Sequence, residues 1–410
     1  MKRTIVIIGA GHAGVQAAGS LRDEGFDGVI RLIDAQTAQP YQRPPLSKAF
    51  LKGEANAQSI ILRGEAFYGE KAIDLALGET VASLDRHSRK LHLGSGRRLG
   101  YDHLILATGA RARTLPVPGA DLKGVHVLRD LGDASRIREA LATSRSIVVI
   151  GAGFIGLEFA AVAASLGAGV TVIETRERVM ARAVSPAIAQ AVEARHIALG
   201  VRLLLNAGVA RLQGVAGHVT HVELASGARI AADLVIVGIG VQAKDRLAAE
   251  SGLTLENGIR VDQHLVTSDA TISAIGDNAS HPNPFFNGMV RLESVQNAVD
   301  QAKCVARNIL GRSEAYRAIP WFWSDQADLK LQIAGIASVI TRHVTRGDPE
   351  SGAFSVFGYA GDRLAVVESI NKPADHMLAR RLIDAGISPS ADDAADPSFD
   401  LKRLALRPSL

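Results

Sequence analysis

Two glycine-rich runs stand out as groups able to hold a phosphate, Gly9-Ala10-Gly11-His12-Ala13-Gly14 and Gly151-Ala152-Gly153-Phe154-Ile155-Gly156. Each follows a short apolar strand and opens a helical stretch, and each is answered by an acid at the end of the next strand, Asp34 for the first and Glu174 for the second. In such a unit the first glycine makes a tight turn, the second lets backbone approach a pyrophosphate and the third lets helix and strand pack closely. The helix start supplies amide donors and the positive end of a dipole, and the acid accepts hydrogen bonds from a ribose diol. A lone match is often an ordinary glycine turn. Two matches in full strand, helix, strand and acid context imply two dinucleotide sites, and a pair of such sites in one chain points to a flavin fed by a nicotinamide.

The elements that must position these groups are legible around them. Thr4 to Ile8 reads as a buried parallel strand, Val15 to Arg22 as its helix and Val29 to Ile33 as the next strand. Ser146 to Ile150, Leu157 to Leu166 and Val170 to Ile173 repeat that order. The first unit runs on to Leu104-Ile105-Leu106-Ala107-Thr108-Gly109, a strand ending in a glycine turn, and Pro116, Pro118 and Gly119 mark a linker. Hairpin signals at Gly214 to Gly217 and Ser226-Gly227 and a last strand at Leu234 to Gly238 complete the second unit. Ile272 to Asp277 is again a strand ending in Gly276-Asp277, which belongs with the first dinucleotide site, so the first domain is expected to be discontinuous. From Trp321 the pattern changes to short strands, Leu329 to Ile336, Ala353 to Tyr359 and Arg363 to Ile370, followed by a helix Ala374 to Ala385 stopped by Gly386. The expected division is 1–115 and 244–320 for one dinucleotide domain, 116–243 for the other and 321–410 for a small α+β domain.

Composition narrows the function. With 410 residues the chain exceeds the size of a single core, and 46 basic against 42 acidic residues, mostly interspersed, argue against a nucleic-acid protein. The one cysteine, Cys304, leaves no intrachain disulfide, CxxC redox pair or cysteine-ligated iron–sulfur cluster, and a buried inert thiol is expected. No metal site is expected either, because none of the 12 histidines joins an HExxH motif or a cluster with carboxylates. Met1-Lys2-Arg3 precedes too short an apolar run for a signal peptide, and no stretch of about 18 apolar residues suggests a membrane span. The expected compartment is the cytoplasm, with no membrane partner.

Seven blocks together carry a family resemblance over nearly the whole chain: Gly9 to Gly14, Arg43-Pro44-Pro45-Leu46-Ser47-Lys48, Ala107-Thr108-Gly109, Gly151 to Glu158, Gly276-Asp277, Glu293-Ser294-Val295-Gln296-Asn297 and Pro320-Trp321-Phe322-Trp323. The sequence resembles the bacterial FAD-dependent ferredoxin reductases that serve oxygenases. That resemblance implies an α/β fold of two Rossmann-like domains, as in the flavin disulfide reductases, plus the α+β C-terminal domain. It also implies roles. Lys48 would stabilise reduced flavin and Arg43 would address the cofactor, although a surface turn with two solvated cations is the plainer reading of the short block. Glu158 would stand beside the Lys48 ammonium and balance charge as hydride moves, the alternative being a simple acid at a helix start. Asp277 would bind the ribityl chain, or merely cap a helix. The helix opened by Ser294 and Val295 would meet the pyrimidine end. Trp321 and Trp323 share a strand face and would shield the flavin, with core packing as the alternative for either.

The cofactors expected are FAD and NADH, and the reaction expected is electron transfer from NADH through FAD to a two-iron, two-sulfur ferredoxin that supplies a monooxygenase. No cysteine lies in the Pro44 to Ser47 region, so electrons must leave the flavin directly. Competing expectations are a rubredoxin reductase or an NADH oxidase on the same fold, and a signalling flavoprotein resembling apoptosis-inducing factor. Ferredoxin docking is expected on the helix after Val295, where Lys303 and Arg307 stand four residues apart on one face, unless both are merely solvated charges.

Overall fold

A computed structural model describes residues 2–405. By contact density the chain divides into two compact units. The first comprises the opening segment to Gln42, Ala57–Arg111 and Gln242–Pro320, and the second Arg43–Asn56, Ala112–Val241 and the chain from Trp321 onward.

The first unit is built on a five-stranded parallel sheet in the spatial order Ile272–Ala274, His103–Leu106, Thr4–Ile8, Val29–Asp34, Ile73–Leu77. Ile5, Val6 and Ile7 are fully buried because helices cover both faces of such a sheet, which is why these strands read as continuous apolar runs. The register aligns Ile8 with Leu106 and Leu106 with Ala274, so three chain segments leave the sheet side by side at its carboxyl edge. Those segments are Gly9 to Gly14, Ala107 to Gly109 and Ile275 to Asp277. Helix Val295–Ile309, in which Ala298, Ala302 and Ala306 are buried, packs on helix His12–Asp23.

The second unit repeats the plan with the parallel order Arg202–Leu204, Gly169–Ile173, Ser146–Ile150, Leu234–Val237, Val125–Val127. It also holds a five-stranded antiparallel sheet in the order Trp321–Gln326, Leu329–Gly335, Arg363–Ile370, Phe354–Ala360, Arg342–Arg346. One apolar core joins the two, with Phe159 and Val179 in the same cluster as Leu331, Phe354 and Ile370. By contacts the segment from Trp321 groups with the second dinucleotide fold, as do Arg43–Asn56.

Both dinucleotide helices start earlier than the apolar period suggests, at His12 and Phe154, directly after the second glycine. The third glycine therefore lies inside the first helical turn. A Cβ on Gly14 would stand 1.8 Å from the Gly9 carbonyl oxygen, and one on Gly156 would stand 2.3 Å from that of Gly151. Only a residue without a Cβ closes the loop onto the helix this tightly. Both tips of the hairpins at 214–217 and 226–227 form as expected, Ala216 and Gly217 taking positive φ of 52° and 80°.

Candidate functional site

In the first unit the acid closing the second strand is tied to the glycine loop. Asp34 accepts from the Ala10 amide at 2.6 Å on one oxygen and from the Gln36 amide at 2.8 Å on the other. The carboxylate thus fixes the loop that it would also complement as a ribose acceptor. Gly276 packs against the same loop, since a Cβ there would stand 3.1 Å from that of Ala13. The Asp277 carbonyl accepts from Arg291 at 2.8 Å. Thr108 is drawn into the scaffold: its hydroxyl donates to the Lys244 carbonyl at 2.6 Å and accepts from Asn278 at 2.8 Å. Ser294 caps its helix, accepting from the Asn297 amide at 3.1 Å.

These residues fit a bound FAD. The helix behind Gly11 starts without a side-chain cap, and a Cβ on Gly11 would meet no atom of the described residues within 4 Å. The space that a side chain would fill is where backbone must approach a pyrophosphate. Asn278 Oδ1, in a fully buried residue beside Asp277, has no hydrogen-bond partner among the described residues. His12 and Ala13 open the helix at that edge, and Ala107 and Gly109 lie in the segment that follows strand His103–Leu106.

The second unit repeats the arrangement with a longer acid. Glu174 accepts from the Ala152 amide at 2.9 Å and, on its other oxygen, from the Arg176 amide at 3.0 Å and the Thr175 hydroxyl at 3.1 Å. Helix Phe154–Ser165 also starts without a side-chain cap at Gly153, where a Cβ would again meet no atom of the described residues within 4 Å. Ile155, in its first turn, is 47% exposed, an apolar surface at the helix start. Of the two arginines after Glu174, Arg178 is committed to the carbonyls of Val184 and Ala181 at 2.7 and 2.8 Å. Arg176 is exposed.

One turn further along this helix stands a buried carboxylate. Glu158 is only 3% exposed, and Lys48 reaches one of its oxygens at 2.7 Å. The same Oε2 accepts from the Ser47 hydroxyl at 2.5 Å, and Oε1 accepts from the Ser324 hydroxyl at 2.6 Å. Lys48 also donates to the Pro44 carbonyl at 3.2 Å, so the two prolines of the Arg43 to Lys48 block present a rigid turn to the ammonium. Arg43 itself donates to the Arg129 carbonyl at 2.6 Å. A buried anion is tolerable only when its charge is matched and its lone pairs are filled, and here a cation and two hydroxyls do both. The pair expected from sequence is therefore formed, and Ser47 and Ser324 are partners that sequence reasoning missed.

The tryptophans share a face, their ring centroids 5.6 Å apart. That face looks toward helix Pro373–Asp384, where Trp321 meets the His376 ring at 5.7 Å and the Arg380 guanidinium at 4.9 Å. Phe322, Ser324 and Gln326 occupy the opposite face, Phe322 packing on Phe154 at 4.6 Å. Glu158 therefore meets Ser324, and the strand's two faces divide the aromatic pair from the carboxylate. Lys303 and Arg307 each pair with a local acid, Asp300 at 3.9 Å and Glu314 at 2.9 Å. Cys304 is buried, and desolvation pushes its thiol up to about 11. Among the described residues no three His, Cys, Asp or Glu converge as a metal-holding group, and no helix is long and apolar enough to cross a membrane.

Two glycine-loop helices without side-chain caps, each with a tethered acid, and a buried lysine–glutamate pair define a flavin and nicotinamide oxidoreductase. Residues 3–302 match the family described as pyridine nucleotide-disulphide oxidoreductase, and residues 321–405 match that described as reductase C-terminal. The chain belongs to this family, in the branch of FAD-dependent NAD(P)H reductases that carry the C-terminal domain. It is 49% identical to rhodocoxin reductase of Rhodococcus erythropolis over 98% of this chain and 95% of that one. It is 45% identical to rubredoxin-NAD(+) reductase of Pseudomonas putida over 90% of this chain and 96% of that one. Among solved structures, the ferredoxin reductase for the CYP199A2 system from Rhodopseudomonas palustris is 45% identical, with a TM-score of 0.96, over 98% of this chain and 99% of that one.

Proposed function

We propose that this chain passes electrons from NADH through FAD to a two-iron, two-sulfur ferredoxin that supplies a monooxygenase, and that it does so in the cytoplasm. The observation that carries the reading is the Glu158–Lys48 pair, set one turn beyond an open dinucleotide loop in a chain whose only thiol is buried and inert. FAD, when bound, takes up a hydride as an electron pair and yields electrons one at a time, which a nicotinamide does not. The protein's own groups supply position and charge. The segments 1–115 and 244–320 hold the flavin, with Asp34, Gly276 and Asp277 at the sheet's carboxyl edge and Ser294 and Val295 at the start of the helix that packs on the first dinucleotide helix. The segment 116–243 holds the nicotinamide, with Glu174 on the ribose. Lys48 provides a cation where negative charge develops, and Glu158 keeps that cation in place while itself remaining saturated with donors.

Glu174 favours NADH, because a carboxylate accepts from a ribose diol and repels a 2′-phosphate. The commitment of Arg178 to two carbonyls removes one of the cations that would offset this. The names of the relatives supply the acceptor: a rhodocoxin, a rubredoxin, and the ferredoxin of a CYP199A2 system. The rubredoxin relative supports a second reading with the same electron path and a different acceptor. Anaerobic addition of NADH should bleach the yellow protein, and single-turnover transfer to a two-iron ferredoxin should outpace transfer to rubredoxin. A protein that takes up no FAD refutes the whole reading, and faster rubredoxin reduction decides for the second.

A further inference from the structure

Glu158 is held by a directional chain of hydrogen bonds that ends on its own helix. Gln326, fully buried, donates through Nε2 to the Phe154 carbonyl at 3.2 Å and to the Ser324 hydroxyl at 2.8 Å. The Phe154 oxygen can only accept, so it requires the amide nitrogen of Gln326 to face it. With both of that nitrogen's hydrogens placed, Ser324 Oγ accepts from Gln326. The single hydroxyl hydrogen of Ser324 is then left to point at Glu158 Oε1, 2.6 Å away. Reversing any link would set two acceptors or two donors face to face.

We propose that Ser324, oriented by Gln326, is a positioning residue for hydride transfer. It holds the Glu158 carboxylate so that Oε2 stays with the Lys48 ammonium and the Ser47 hydroxyl. Ser324 is fully buried and 166 residues from Glu158, on the first strand of the reductase C-terminal segment. That segment thereby completes the ionic site of the nicotinamide half. The inference rests on the proposed role of Glu158 in the reduction of flavin by NADH. Deleting the hydroxyl takes from Oε1 the donor that holds it, in a site too buried for water to replace it freely, and the carboxylate is free to turn away from Lys48.

The test is anaerobic stopped-flow reduction of the FAD-loaded protein by NADH, with NADH affinity measured by titration and stability by urea unfolding of the same proteins. Ser324→Ala should lower the limiting rate about tenfold, the loss of one hydrogen bond to a charged group, while NADH affinity changes by no more than about twofold. Ser324→Thr should restore most of the rate. In a Glu158→Gln background Ser324→Ala should cost little further, in rate and in unfolding midpoint, because the two residues act as one. An equal loss in both backgrounds, or a wild-type rate for Ser324→Ala, overturns the proposal. If the alanine variant fails to hold FAD, the near-isosteric Ser324→Cys, a poor donor, is read by the same criteria, and failure of both to fold assigns Ser324 to stability alone and also overturns it. Absence of reduction in wild type, or a wild-type rate for Glu158→Gln, instead defeats the underlying reading of the site.

Discussion

Replacing Lys48 with methionine removes the ammonium from Glu158 and keeps most of the side-chain volume. At 2.7 Å the pair's gross attraction is about 6 kcal/mol for the effective dielectric appropriate to such sites. Two facts reduce the net effect. Lys48 is 22% exposed, so water partly screens the pair at the ammonium's end. Ser47 and Ser324 still donate to the carboxylate, at 2.5 and 2.6 Å. Removing one partner of a buried pair costs about 3–5 kcal/mol, and these compensations bring Lys48→Met below that range, to about 2–3 kcal/mol. Urea unfolding followed by fluorescence measures this directly, since both tryptophans, Trp321 and Trp323, lie in the unit that contains the pair. Lys48→Met with Glu158→Gln should recover most of the loss, with a coupling of about 2 kcal/mol. The same variant should slow flavin reduction by NADH more than it weakens NADH binding, because a cation matters most where charge develops. Wild-type stability for Lys48→Met, or strict additivity in the double variant, would show that the pair is solvated and that the reasoning about burial is wrong.

Gly14→Ala should purify with little FAD, since its Cβ would fall 1.8 Å from the Gly9 oxygen and force the loop open; a full complement of flavin by absorbance would contradict this. Glu174→Ala should lower the ratio of kcat/KM for NADH over NADPH at least about tenfold, and an unchanged ratio would assign the preference elsewhere. Burial, aided by Arg3 and Arg380 respectively, depresses His103 and His376 to about 4. An unfolded histidine binds its proton near 6.5, so between that value and 4 the unfolded chain holds more protons and stability falls as pH drops. His376→Asn should flatten part of that slope in unfolding measured between pH 5 and 6.5, and an identical slope would remove His376 from the account. Lys303→Glu with Arg307→Glu should slow ferredoxin turnover and its salt dependence while leaving reduction of a small acceptor unchanged. Because each cation already pairs with an acid, the expected fall is a few-fold at low salt, and equal kinetics across ionic strength would place docking elsewhere.

Both dinucleotide folds were legible in the sequence because their signals are local. Each strand, glycine loop, helix, strand and acid closes within one short stretch, and the demand for glycine at 14 and 156 is a property of the nearby backbone. Period-two alternation likewise put Trp321 and Trp323 on one face. The Lys48–Glu158 pair came from the family resemblance, since no periodicity links residues 110 apart. Ser324 was the hardest to see. Alternation sets it opposite the tryptophans, with Phe322 and Gln326, but which face meets helix Phe154–Ser165 depends on how the C-terminal sheet packs into the core it shares with Phe159. The same packing decided that Arg43–Asn56 and the chain from Trp321 share a unit with the second glycine loop. Local sterics and hydrogen-bond spacing write themselves into neighbouring residues, whereas a contact between distant segments is chosen by the whole buried surface, and so only the tertiary structure brings Ser47, Lys48 and Ser324 onto one carboxylate.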